Sequence, residues 1–135
     1  MDIKIIAPED PAEAAAVLQV LRRSLTVDTI AARIKAANLS TAIASRGASA
    51  VGAVSFSEIR DVHWDRTMYV HDLITVPNER GAGVGAMLLA HVADRARKAG
   101  CGCLRLCSGL DRSDAHRFYT DNGFFKSSVQ FVMHL

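Results

Sequence analysis

Apolar residues change their spacing several times along this chain, and each change marks an element. Residues 2–6 read as a short first strand, after which Glu9-Asp10-Pro11 supplies helix-start chemistry to an alanine- and leucine-rich run over residues 11–25. In residues 27–38, Ile30, Ile34 and Ala37 recur at three- and four-residue spacing while Arg33 and Lys35 fall on another face, which predicts a second amphipathic helix. From Ser40 the period shortens, and residues 41–45 and 48–59, joined at Gly47, predict two antiparallel strands. Residues 61–66 break the pattern, and residues 68–76 are a further strand that stops at Pro77. The clearest helix is 84–99, with Val84, Met87, Leu88, His91, Val92 and Arg95 on one side and Gly100 past its end. Residues 103–107 read as a strand, 111–121 as a short helix closed by Asn122-Gly123, and 124–135 as a last strand. The expected order is β-α-α-β-β-β-α-β-α-β. This is an α+β architecture, with about four helices covering a mixed, mostly antiparallel sheet of about six strands.

Composition narrows the function classes. With 135 residues, half of them hydrophobic, 22% charged and a net charge of +2, the chain is expected to form a single domain over residues 1–135. The charge balance weighs against a phosphate-tracking surface, so no nucleic-acid partner is expected. No apolar run approaches the ~18 residues of a membrane helix, and the first residues lack a basic, then apolar, leader; a cytoplasmic protein without a membrane partner is the expectation. Cys101, Cys103 and Cys107 lie in a valine- and leucine-like run, odd in number and poorly spaced for zinc, and read as buried strand thiols. His63, His71 and Asp72 match no standard metal spacing, so no metal is expected.

The most informative segment lies between a strand and the strongest helix: Arg80-Gly81-Ala82-Gly83-Val84-Gly85-Ala86. Alternate glycines let successive backbone N–H groups converge on an anion, the helix adds its positive end, and Arg80 adds a fork of donors. A P-loop would need Lys-Ser/Thr after the last glycine, where this chain has Ala86-Met87. A dinucleotide fingerprint would need Gly-x-Gly-x-x-Gly in a βαβ unit, where this chain has Gly-x-Gly-x-Gly in an antiparallel context. The pattern that remains is Arg-x-x-Gly-x-Gly, as Arg80, Gly83 and Gly85.

With that loop the chain resembles the GNAT superfamily of acetyl-CoA-dependent N-acetyltransferases. Asp72-Leu73-Ile74-Thr75-Val76-Pro77 is similar to the superfamily's fourth strand. Asp114-Ala115-His116-Arg117-Phe118-Tyr119, followed by Asn122-Gly123-Phe124, is similar to its Ala-x-x-x-Tyr and Gly-Phe element. Together with Val62-His63-Trp64, that run most resembles the aminoalkylphosphonate N-acetyltransferase type. Similarity is strong from His63 onward; the first 40 residues match in element order.

The resemblance implies a GNAT fold, acetyl-CoA as acetyl donor and a small primary amine as acceptor, with aminoglycosides, polyamines, peptide N-termini, or a non-catalytic acyl-CoA-binding regulatory role as alternatives. It implies that residues 80–86 hold the pyrophosphate and that the backbone of Leu73, Ile74 and Thr75 pairs with the pantetheine arm. Tyr119 takes the place of the general acid, and its phenol, near pKa ~10, suits donation to a thiolate whose conjugate acid is near ~8.5. Asp72 and then His71 are the candidates for the base. Simple alternation would point them to opposite faces. Arg112 replaces an asparagine that many relatives carry and is expected to reach a CoA phosphate or an anionic substrate group. Asp111 and Asp114 have the spacing to cap the last helix. The segment 60–66 is expected to line the acceptor pocket, with His63, with Trp64 as an apolar or cation-binding wall, and with Arg66 as an anion partner. A homodimer is a further family-based expectation. Charge is uneven, nine basic against ten acidic residues in 1–80 and seven against four in 81–135, which suits a small polyanion near the glycine loop.

Overall fold

The computed structural model describes residues 2–135, and among them no helix is long and apolar enough to cross a membrane. The chain forms two compact units, one reaching to Arg105 and one over residues 106–135.

The larger unit opens with β1 (Ile3–Ile6) and α1 (Pro11–Leu18). Asp10 caps α1 by accepting the Ala12 N–H at 2.9 Å, and Pro11, which has no N–H to lose, takes the first turn. The alanine-rich run does not continue as helix to residue 25. After Leu18 the N–H groups of Val20, Leu21 and Leu25 turn back three residues to Val17, Leu18 and Arg22, and the Gln19 side chain donates to the Leu25 carbonyl at 3.0 Å. These tight turns reverse the chain into α2 (Val27–Ala36), capped by Thr26 on the Thr29 N–H, and they carry Arg22.

Four of the five strands run antiparallel to their neighbours: β1 with β2 (Ser40–Arg46), β2 with β3 (Ser49–Asp61), and β3 with β4 (Asp65–Thr75). The β3–β4 hairpin turns at residues 62–64, where Asp61 Oδ1 accepts the Trp64 N–H at 2.7 Å and Asp65 takes a positive φ of 61°. α3 (Val84–Lys98) and β5 (Cys103–Leu106) follow, giving a sheet in the order β1-β2-β3-β4-β5.

Each sheet face packs against helices. On one, Ala53 and Ile74 join Ala15, Leu18, Ile30 and Ile34 of α1 and α2 in a buried cluster. The other receives α3, which buries Val84, Leu88 and Val92, and there Phe56 meets His91 edge-on. Gly52 allows the close approach. A Cβ on it would stand 2.8 Å from both the Ile74 carbonyl oxygen and Val84 Cγ1, so a bare backbone is what seats the first turn of α3 on β3.

In the smaller unit, α4 (Ser113–Asp121) forms as expected, closed by Gly123 at φ +92°. The α+β class holds, and two further sequence expectations do not. Residues 124–135 form no strand and have no place in the sheet, which has five strands among the described residues. Alternation prepares a strand, but without a ladder partner nothing offsets the entropy of holding it extended. The thiols are also less buried than expected: Cys101 and Cys103 are half-buried and Cys107 is exposed.

Candidate active site

β4 ends at Pro77, and Pro77–Glu79 is a single 3-10 turn tied to the sheet by Arg46, which grips Glu79 through Nε to Oε1 at 3.3 Å and Nη2 to Oε2 at 3.0 Å. Gly81 and Gly83 follow with φ of +86° and +83°, a region that costs an L side chain roughly 1–2 kcal/mol. Gly83 is the N-cap of α3 and has no side chain to satisfy the first-turn N–H groups, leaving those of Val84, Gly85 and Ala86 to another acceptor. Nothing stands within 4 Å of the Cβ positions of Gly81 and Gly83, and Arg80 and Ala82 are exposed beside them. A 15-residue helix therefore directs its positive end and its free donors into open space, which is anion-binding chemistry.

The strand leading to this loop has a free flank. β5 is four residues long, and the chain joins β4 near its start, where the Gly102 N–H donates to the Arg66 carbonyl at 2.9 Å. A ladder of that length ends short of Leu73, so Leu73, Ile74 and Thr75 pair with β3 on one edge and lie beyond the reach of β5 on the other.

Between these features β4 carries a bulge. Ser55 pairs with Asp72 but Phe56 pairs with Val70, which leaves His71 as an extra residue. Ser55 Oγ donates to Asp72 Oδ2 at 3.0 Å, and Ser57 Oγ lies 2.7 Å from His71 Nε2. Ser55 and Ser57 are two residues apart on β3 and share a face, so Asp72 and His71 share it as well. The expectation of opposite faces fails here because alternation presumes an unbulged strand.

This face is charged and partly dry. Arg22, from the turns after α1, donates Nε and Nη2 to Asp72 Oδ1 at 2.9 and 2.6 Å. Both carboxylate oxygens of Asp72 are thereby engaged, and its side chain is 20% exposed against 52% for Arg22. Burial pushes the His71 imidazole below its ordinary 6.5, against the opposite pull of Asp72. That shift favours the uncharged imidazole at neutral pH.

The expected acceptor loop shrinks to the hairpin tip. His63 and Trp64 meet there edge-on at 4.8 Å between ring centroids. Arg66 is already engaged on the α3 face of the sheet: its Nε donates to Glu58 at 2.9 Å and its Nη2 to the Ala99 carbonyl, closing the end of α3. It lies on the face opposite Asp72 and His71, which removes it as an anion partner there.

In the smaller unit Tyr119 packs between Phe118 and Phe124, with ring centroids at 5.4 and 5.6 Å. Burial pushes its phenol above the usual 10, with Arg112 pulling the other way, so the hydroxyl keeps its proton at neutral pH. Asp111 and Asp114 do not cap α4. Arg112 occupies the N-cap without a side-chain bond, its N–H returning to the Gly109 carbonyl, which also accepts from His116 Nε2 at 2.7 Å.

Sequence reasoning passed over Arg22, Ser55 and Ser57. The signal for the serines was present, since Ser55-Phe56-Ser57 interrupts an otherwise apolar strand and Ser55 is fully buried. Arg22 had none, because its partner is 50 residues away.

The sequence profile described as the acetyltransferase (GNAT) family matches residues 12–124. Over 133 residues the chain is 35% identical to the uncharacterised N-acetyltransferase YhdJ of Bacillus subtilis, covering 95% of this chain and 94% of that protein. It is 31% identical over 106 residues to the aminoalkylphosphonate N-acetyltransferase of Salmonella typhimurium, covering 78% of this chain and 69% of the relative. The solved structure of aminoglycoside N-acetyltransferase AAC(6')-Iy in complex with CoA superposes with a TM-score of 0.86 over 99% of this chain and 93% of its own, at 17% identity, a likeness of fold.

Proposed function

The chain belongs to the acetyltransferase (GNAT) family and takes acetyl-CoA as its acetyl donor, and on that premise we propose that it acetylates the primary amine of a small zwitterion, an aminoalkylphosphonate or a close analogue. The observation that carries this reading is the Arg22–Asp72 pair beside His71. A carboxylate and a guanidinium side by side match an acceptor that brings an ammonium and an anion together, and because Arg22 spends Nε and Nη2 on Asp72, its Nη1 edge is the part that would meet a phosphonate oxygen. The similarity to the aminoalkylphosphonate enzyme supports the same acceptor class.

In this mechanism the uncapped N–H groups of residues 83–86, with Gly81, Ala82 and Arg80, hold the pyrophosphate of acetyl-CoA. The free edge of Leu73, Ile74 and Thr75 pairs with its pantetheine arm, and one N–H there polarises the thioester carbonyl. Asp72 draws in the substrate ammonium. His71, whose Nε2 lies 2.7 Å from Ser57 Oγ, takes one proton at Nδ1 in the tautomer that donates Nε2–H to that serine. The amine then attacks the thioester carbon, the C–S bond breaks, and the departing thiolate takes the phenolic proton of Tyr119. The second proton on the nitrogen restores the phenol, leaving an amide and free CoA thiol. Arg112 meets a CoA phosphate, and His63 and Trp64 border the acceptor. The same reading has the protein work in the cytoplasm as a homodimer and as one functional domain.

The test is a thiol-release assay with acetyl-CoA over aminoalkylphosphonates, polyamines, aminoglycosides, amino acids and peptides. Aminoalkylphosphonates should turn over fastest, and Arg22→Ala should raise their KM while leaving that of amines without an anionic group nearly unchanged. Preference for an amine lacking an anion, or CoA binding with silence across the panel, overturns the proposal.

A further inference from the structure

β1 leaves the sheet before β2 does. Their ladder stops at Ile6 opposite Ile43, and the chain then turns away through Ala7 and Pro8, so residues 40–42 of β2 have no strand on that edge among the described residues. A cavity of about 220 Å³ lies there. Ile34 and Leu39 supply apolar lining, and Glu9, Ser40, Thr41 and Arg95 supply polar lining.

These four polar side chains do not satisfy one another. None makes a hydrogen bond or ion pair with a described residue, although one is a cation and one an anion. Both charges are nevertheless held. Arg95 places its guanidinium carbon 5.7 Å from the centroid of the Phe56 ring, and Phe56 is 1% exposed, so a fixed ring carries the cation. A guanidinium over a ring keeps its edge donors for a partner. Glu9 stands between Pro8 and Pro11, whose rings fix φ and restrict the residues before them, so the carboxylate is borne on a stiff segment.

We propose that this cavity binds a small zwitterion of the α-amino acid class, its carboxylate on Arg95 with the Ser40 and Thr41 hydroxyls and its ammonium on Glu9. Opposite charges that line one cavity without pairing complement a ligand that carries both charges itself. A simple anion would be repelled by Glu9, and a simple amine by Arg95. Size narrows the class further. The cavity is smaller than the roughly 300–1,000 Å³ of sites for drug-sized ligands, and at ~30 Å³ for one water's share of the liquid it takes roughly six to eight non-hydrogen atoms, the size of alanine or serine.

This is a second site, apart from acetyl transfer. Thr41 pairs with Ser55 and Ser55 with Asp72, so the cavity stands two strands from Asp72, roughly 10 Å at ~4.8 Å per strand. A ligand of that size does not reach both.

Amide NMR of the full chain titrated with L-alanine and L-serine tests it. Saturable shifts are expected at Ala7, Glu9 and residues 39–42, with a Kd on the order of 0.1–1 mM. Acetate or ethylamine alone should bind at least about 10-fold more weakly. Glu9→Gln and Arg95→Gln should each weaken L-alanine by about 10-fold or more, while Arg97→Gln, at an exposed cation of the same helix outside the cavity, should leave it within about two-fold. The proposal is overturned by no saturable shift up to about 10 mM, by acetate binding as tightly as L-alanine, or by an equal loss in Arg97→Gln. Shifts centred on His71 and Asp72 and abolished by Asp72→Asn also overturn it, placing the amino acid in the acetyl-transfer site. That outcome leaves the acceptor proposed above intact, and an unchanged KM in Arg22→Ala leaves this cavity intact.

Discussion

Arg22 and Asp72, separated by 50 residues, meet with Nη2 2.6 Å from Oδ1 while Ser55 holds the other carboxylate oxygen at 3.0 Å. A carboxylate held by a guanidinium and a hydroxyl is fixed in place as an electrostatic anchor. Its neighbour His71 has the complementary character: half-buried, one hydrogen-bond partner at Nε2, and driven towards the neutral form by desolvation. The bulge in β4 sets these two side chains on one face.

Separate substitutions should separate those roles. His71→Gln, which keeps a polar contact for Ser57, is expected to lower kcat by roughly 10²–10⁴-fold with little change in KM for the amine, the range for loss of a general base. Asp72→Asn is expected to act chiefly on the amine KM, since it removes the charge that draws in the ammonium. Steady-state kinetics at saturating acetyl-CoA decides the matter, and the reverse pattern would return the base role to Asp72.

Tyr119→Phe should keep the packing against Phe118 and Phe124 and remove only the proton. Turnover is expected to fall by about 10²–10⁴-fold while calorimetry shows CoA affinity within about two-fold of wild type. Unchanged turnover would strip Tyr119 of the acid role and leave it as a packing residue.

Two glycines should fail in different ways. Gly52→Ala forces a Cβ to 2.8 Å from a backbone oxygen and from Val84, so thermal unfolding should show a loss of about 1–3 kcal/mol from overpacking. Gly83→Ala meets no atom within 4 Å but must hold φ near +83°, a strain of roughly 1–2 kcal/mol that a shift of the loop can relieve. That shift would misdirect the α3 donors, so its main signature should be weaker acetyl-CoA binding by calorimetry.

The glycine loop was legible because its chemistry is local: positive φ and an uncapped helix start are both written in consecutive residues. The helices and β1 to β4 were legible from period alone, though the first helix stops seven residues early because Gln19 and the turns around Arg22 reverse the chain. Three features were hidden. The bulge at His71 depends on register between β3 and β4, which alternation within one strand does not encode. The Arg22–Asp72 pair depends on tertiary proximity. Arg66 reads as a free cation until Glu58 and the end of α3 are seen to hold it. The last segment alternates like a strand but forms none, because a strand needs an edge to pair with and alternation within one segment does not supply it.

Titration gives a test that joins fold and site. Burial lowers the pKa of both His71 and His91, the latter aided by Arg95, so each binds its proton more weakly in the folded chain than in the unfolded one. For groups depressed on folding, the stabilisation is fully present above the ordinary value of 6.5 and is lost as pH falls through the lower, folded-state values. Thermal stability should therefore be level near neutral pH and decline in the acid range below 6.5. His71→Gln should shallow that decline by removing one of the two groups. The same protonation blocks the proposed base, so kcat/KM should fall on the acid side with a midpoint below 6.5 and stay level through neutral pH, because the Tyr119 phenol titrates above 10. An acid limb centred above 6.5 would mean that the proton acceptor is a group other than the buried His71.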